Sequence, residues 1–523
     1  MSSTAILDSL MLAFDGHELP GPMRARLAAR GAAGVSLFRY LNVGSPAEVR
    51  ALTDAIGSLG TFRVAGDQEG GQLMGLGDGT TPFAGNMALG AAGDAGLAQR
   101  VGAAIGTELR AMGVTVDYAP VCDLATNPDS PSVGVRSFGD DPVVVSALAA
   151  AMVRGIQSAG VAATLKHYPG SGDVAVDPHH ALGSVPHDRE RLESLELAPF
   201  RAGIDAGARL VMSGHFAVPA LDGGGELPAT LSRAVLTDLL RGEMGFDGLI
   251  VSDALDMGAL PQGAAQAVDV IAALRAGVDL LLCPPDPEAI ERIEGAVLHA
   301  AARRLLDTAS MAGSRRRLAD LRRWLAGFEQ PPLEVVGSTA HRALAGELSA
   351  RSLTLVRDEA GLLPLRLGDE QRVLAIMPAP QDLTPADTSA SVTPGLAAAL
   401  RRHHGCVDEL IVSQAPTPGE LAALRERAAG YDLLVIGTIS ASLRPEQATL
   451  VQALAERLAV TVALRTPFDL AAYPQAATHA CTYSILQPSL DALADALFGR
   501  AGFPGRLPAA IPGLYPTGHG LGR

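Results

Sequence analysis

The sequence predicts an α/β protein in two parts: a (β/α)8 barrel of the TIM type, followed by a smaller open α/β sandwich. Three observations predict it. Eight short apolar runs alternate with helix-like stretches over the first 300 residues. The runs are nearly continuous in apolar residues, as strands buried on both faces of a parallel sheet require. Polar residues gather where the runs end, and in a barrel that end carries the chemistry.

The eight runs are LMLAFDG (10–16), GVSLFRY (34–40), FRVAGDQ (62–68), VTVDYAP (114–120), VAATLKHYPG (161–170), RLVMSGH (209–215), GLIVSDALD (248–256) and VDLLLCP (278–284). Between them lie amphipathic segments such as 95–113 and 266–277, whose apolar residues recur at helical spacing. A basic stretch, SRRRLADLRRWLAGF (314–328), reads as a helix with a solvated arginine face. The barrel is expected over 1–330, a linker over 331–345 and the sandwich over 346–523. The second part has six further strand runs: 351–358, 372–378, 408–413, 431–438, 459–467 and 479–484. None is followed by a glycine-rich phosphate-binding motif, so nucleotide binding has no support.

Composition narrows the function. The 523 residues are 48% hydrophobic and 19% charged, enough for a large core. A net charge of −15 argues against a nucleic-acid partner, which would call for a basic face. No apolar window is long enough for a membrane span, and MSSTAILDSLMLAFDG lacks the marks of a signal peptide. The expectation is a cytoplasmic protein, monomer or homodimer. Cys122, Cys283, Cys406 and Cys481 are widely spaced and form no C-x-x-C pair. Neither H-x-H nor H-E-x-x-H occurs, so no metal and no cofactor are expected.

The segment KHYPGSGDVAVDPHHALG (166–183) concentrates titratable groups in one loop. Such groups change charge near neutral pH, as proton transfer needs. Lys166 and His167 close the fifth run. Asp177 and His179 stand two apart, so in an irregular loop the carboxylate can fix the imidazole tautomer. His180 and His187 are read as solvent-facing. Asp15, Asp67, Lys166, His167, His215 and Asp253 all fall at strand ends, which converges them on one face. Asp253 there can be nucleophile, base or anchor. Asp256 reads as the start of a turn or a helix cap. Asp67 and Glu69 can accept hydrogen bonds from vicinal hydroxyls, which suits a sugar. Arg136 lies in a loop, with a surface pair to Asp140 or Asp141 as the plain alternative.

These motifs resemble glycoside hydrolase family 3, in particular its two-domain β-N-acetylglucosaminidases of the peptidoglycan-recycling type. KHYPGSGDVAVDPHH is similar to that group's signature, and VAGDQEGG, VRSFGDDP and GFDGLIVSDALDM follow in the family's order, as do VALRTPFDL (462–470) and the tail 505–521. The resemblance implies Asp253 as nucleophile and His179 as general acid/base with Asp177 as partner. It implies that Asp67, Arg136, Lys166 and His167 hold the sugar; His215, by its place at the sixth strand end, is expected to bind substrate beside them. Pro178 stands where the pattern has Ser or Thr, and Gln72 and Gly75 where arginines are frequent. The implied activity is that of a retaining, exo-acting β-N-acetylhexosaminidase. A phosphorylase, a β-glucosidase or β-xylosidase, and a non-catalytic sugar-binding protein are the alternatives.

Overall fold

The computed structural model describes residues 4–60 and 63–522. Phe62, where the third strand run was expected to begin, and Met1–Ser3 of the N-terminal segment lie outside them. Eight parallel strands close a barrel: β1 (Leu10–Leu12), β2 (Gly34–Ser36), β3 (Arg63–Gly66), β4 (Val116–Asp117), β5 (Ala162–Tyr168), β6 (Leu210–Ser213), β7 (Leu249–Ala254) and β8 (Leu280–Leu282). Each falls inside its expected run. Around the ring the order is β1-β8-β7-β6-β5-β4-β3-β2, so chain neighbours pair throughout and β8 returns to β1.

Local rules place the helices. Helix Ala95–Ala111 starts at Asp94, whose carboxylate accepts from Leu97 N at 3.0 Å. It packs on helix Pro142–Ser158, started by Asp141 with proline at its first position. The two backbones meet closely: a Cβ on Gly155 would stand 2.3 Å from Gln99 O. Only glycine permits that approach.

One helix differs from expectation. Thr308–Leu325 buries Leu318, Leu321 and Leu325 in the same core as Met11, Ala33, Leu210, Leu249 and Leu280 inside the barrel. It closes the barrel at the strand starts, away from the polar ends. Arg316, Arg322 and Arg323 are exposed as read, but Arg317 is not solvated. It pairs at 2.8 Å with fully buried Asp279, which also takes Arg241. An aspartate hidden at a strand start needs cations, and the helix supplies one.

The second sheet has six strands: β9 (Thr354–Asp358), β10 (Val373–Pro378), β11 (Val407–Val412), β12 (Leu433–Thr438), β13 (Ala459–Ala463) and β14 (Thr478–Cys481). Their order is β9-β14-β13-β12-β10-β11, with β9 antiparallel to β14 and the rest parallel. Its own core lies between the sheet and helices such as Gln487–Leu497.

Hydrogen bonds join the two parts in several places. Helix Thr339–Ser352 begins within 331–345, and the buried Glu108 carboxylate of the barrel accepts from Gly337 N at 3.0 Å and from His341 Nδ1 at 2.7 Å, as well as from Thr81 N at 2.9 Å. Asp140 takes Ala510 N at 2.9 Å and Thr517 Oγ1 at 2.8 Å from the C-terminal tail. Thr388 of the sandwich meets the segment after β3, as described below. Glu108→Ala leaves several buried donors without an acceptor, so we expect a loss of about 2–4 kcal/mol. Calorimetry should show a lower midpoint and a separated second transition; an unchanged single peak would count against this role for Glu108.

Candidate active site

The polar strand ends meet at one cavity of about 300 Å3. Asp67, Arg136, Lys166, His167, His179 and Asp253 line it, with Tyr118, Met212, Leu282, Cys283 and Pro284 as its apolar wall. Pro385–Thr388 of the sandwich complete it.

At its base lies a buried charge network. Lys166 Nζ stands 2.6 Å from Asp67 Oδ1 and 2.7 Å from Glu69 Oε1. Arg136 binds Glu69 bidentately at 2.7 and 2.9 Å and also donates to Ser132 O. Burial would raise the Glu69 carboxyl, but Arg136 and Lys166 overcome it and pull it down to about 2. Neighbouring Asp117 differs. Burial outweighs the Gln68 N–H and the Lys166 charge, so its carboxyl is pushed well above the usual carboxylate range. Arg136 is thus no surface charge: Asp140 serves the tail and Asp141 caps a helix.

The β5 end and its loop are held in steps. The Lys166–His167 peptide is cis. His167 Nδ1 lies 2.7 Å from Asp123 Oδ2, and Ser171 N donates to Asp123 Oδ1 at 2.7 Å. Further on, Asp177 Oδ1 accepts from His179 N at 2.9 Å and faces His179 Nδ1 at 2.7 Å. This is an Asx turn, and Pro178 inside it fixes the backbone so that ring and carboxylate face the same way. Burial opposes ionisation of Asp177, but the His179 ring and backbone bonds outweigh it and the carboxyl is held low. An ionised partner at Nδ1 makes that nitrogen the protonated one and leaves Nε2 for the cavity. The carbonyls of Pro178 and His179 accept from Ala259 N and Gly258 N, both at 3.0 Å. The acid/base candidate is therefore docked on the loop after β7.

That loop follows Asp253, whose Oδ1 accepts from Ala254 N at 2.8 Å. Burial raises the Asp253 carboxyl, yet the imidazoles of His167, His215 and His179 outweigh it and lower it overall. Asp256 caps no helix; it lies exposed at the cavity mouth.

His215 departs from its expected place. It is fully buried, with Nδ1 2.8 Å from Thr230 Oγ1 and Nε2 3.1 Å from Ala254 O. Both nitrogens are used, so it braces the backbone beside Asp253. Asp15 is exposed and lines no part of the cavity, and His187 pairs with Asp173 while His180 is exposed. Sequence reasoning passed over Asp123, although it follows the fourth run by three residues. Among the described residues no cluster of His, Cys, Asp and Glu could hold a metal, and no helix is long and apolar enough to cross a membrane.

Comparison with known proteins bears on this geometry. The Glycosyl hydrolase family 3 N terminal domain matches residues 57–319, which hold every one of these barrel side chains. The chain belongs to glycosyl hydrolase family 3. This family 3 chain is 35% identical over 389 residues to the Beta-hexosaminidase A of Pseudoalteromonas piscicida, covering 68% of itself and 64% of that protein. It thus spans somewhat under two thirds of that relative. It is 37% identical over 309 residues to the Beta-hexosaminidase of Chromobacterium violaceum, covering 85% of that protein. A family 3 β-N-acetylglucosaminidase structure from Paenibacillus sp. str. FPU-7 superposes with TM-score 0.92 at 34% identity, covering 98% of this chain and 99% of that one.

Two outcomes test the site. A Cβ on Gly258 would stand 2.8 Å from His179 O and His180 O. Gly258→Ala should therefore displace the docked loop and lower kcat about tenfold or more, as small misplacements of catalytic groups do; unchanged kinetics would refute the docking. Glu69 has an ordinary value of 4.5 and about 2 in the folded protein. Its ionised form therefore stabilises fully above pH 4.5, and the contribution disappears as pH falls toward 2. Denaturation of Glu69→Gln against the parent should show a gap, on the order of 3 kcal/mol at neutral pH, that narrows across that window.

Proposed function

We propose that the chain is a retaining, exo-acting β-N-acetylhexosaminidase that releases terminal β-linked GlcNAc. The observation that carries this reading is the placement of Asp253 and the Asp177–His179 pair on one cavity with the Lys166, Asp67, Glu69 and Arg136 network. The names borne by the Pseudoalteromonas, Chromobacterium and Paenibacillus relatives support the same chemistry.

In this reading Asp253, held ionised, attacks the anomeric carbon. His179 Nε2 gives its proton to the departing glycosidic oxygen, and a glycosyl-enzyme ester forms. Water then enters, His179 takes its proton, and Asp253 leaves as carboxylate. Asp177 holds the tautomer and balances the imidazolium. Asp67, Lys166 and His167 offer one acceptor and several donors to the ring hydroxyls. Arg136, bonded to Glu69 and Ser132, positions Glu69 and through it Lys166, and it also lines the cavity. Muropeptides or chitin fragments met in the cytoplasm fit as substrates.

A neutral imidazole base does not repel an anionic acceptor, so phosphate is a second acceptor to test. Product analysis in phosphate buffer distinguishes GlcNAc from its 1-phosphate. His179→Ala should slow glycosides with poor leaving groups by about 10²–10⁴-fold. It should spare 2,4-dinitrophenyl glycosides, which need no protonation. Near-normal turnover on the poor leaving group would sink the assignment. A 2-fluoro glycoside should label Asp253, and tight binding without labelling would favour a sugar-binding protein.

A further inference from the structure

We infer that Thr388, a residue of the sandwich, is the stop that limits the catalytic cavity to a single sugar beyond the scissile bond; this rests on the glycosidase reading above. His179 is docked on Gly258 and Ala259 after β7. The group that protonates the leaving oxygen marks the leaving-group side. In the closed order β3 stands opposite β7. The far hydroxyls of the bound ring therefore point toward the segment after β3, where Asp67 lies.

Thr388 closes that side. Its N donates to Gln72 O at 3.0 Å, its Oγ1 donates to the same oxygen at 3.0 Å, and Met74 N donates to Oγ1 at 3.1 Å. Behind it is a second cavity of about 330 Å3, between the two parts of the molecule, lined by Gly71, Met74, Gly77, Thr80, Thr393 and Gln487. Arg39 and Thr388 line both cavities, so Thr388 stands in the partition between them.

The stop is held firmly. The neighbouring Asp387 accepts from Ser389 N and Leu383 N, both at 2.8 Å, and from Arg465 at 2.7 Å. Asp387 and Arg465 are almost wholly buried. Asp382 adds a tie, taking Tyr40 Oη of the barrel at 2.7 Å and Ala390 N at 2.7 Å. A chain with one more sugar at its non-reducing end meets this wall before its second linkage can reach Asp253.

The test compares 4-nitrophenyl β-GlcNAc with 4-nitrophenyl β-chitobioside. The parent should release GlcNAc from the chitobioside first, and nitrophenol only after a lag. Thr388→Gly joins the two cavities. The lag should vanish, with chitobiose and nitrophenol appearing together and direct release rising at least tenfold. KM for the monosaccharide glycoside should rise several-fold with kcat changed less. Thr388→Ser keeps both hydroxyl bonds and should restore the lag. A parent without a lag, or a persisting lag in Thr388→Gly that still cleaves the monosaccharide glycoside, would overturn the inference. If Thr388→Gly does not fold, Thr388→Ala is read the same way. A parent inactive on 4-nitrophenyl β-GlcNAc would instead overturn the glycosidase reading itself.

Discussion

The site depends on one constraint: two cations and two anions must remain in balance where little water reaches them. Lys166 and Arg136 meet Asp67 and Glu69 across three separate elements, β5, the loop before helix Pro142–Ser158, and the end of β3. Removing a partner from such a set costs far more than the set contributes net, because the charge left behind stays buried. The network therefore acts as a register pin. The barrel's apolar interior brings the strand ends within reach, and the charges fix their final offsets.

The fold was readable because its signal is local. Each barrel strand lies within a run of apolar residues, and several long helices carry an N-cap residue in the sequence, such as Asp94 or Asp141. The Asp177–His179 pair was readable for the same reason, since its partners stand two residues apart. What escaped was contact at a distance. Arg136 could not be matched to Glu69, 67 residues away, from spacing alone. His215 ends a strand as a catalytic residue would, yet Thr230 and Ala254 consume it. Arg317 looks like its solvated neighbours until Asp279 is placed beneath it.

The sandwich is the larger lesson of this kind. Nothing in PAPQDLTPADTSAS marks it as part of a pocket, apart from its place after an apolar strand. The structure brings Pro385–Thr388 to the barrel mouth through bonds that span more than 300 residues. The second part thus shapes the cavity although none of its side chains is a candidate for the bond-breaking steps.

The clasp between Asp140 and the tail carries a consequence for biogenesis. Its partners are separated by 370 positions or more in the chain. During translation the barrel segments emerge long before Thr517 exists, so this edge of the nascent barrel waits uncovered. Contacts of such separation form late and slowly. At about 5–20 residues per second the segment that holds Thr517 follows Asp140 by tens of seconds, so the clasp closes on a barrel edge made well before it.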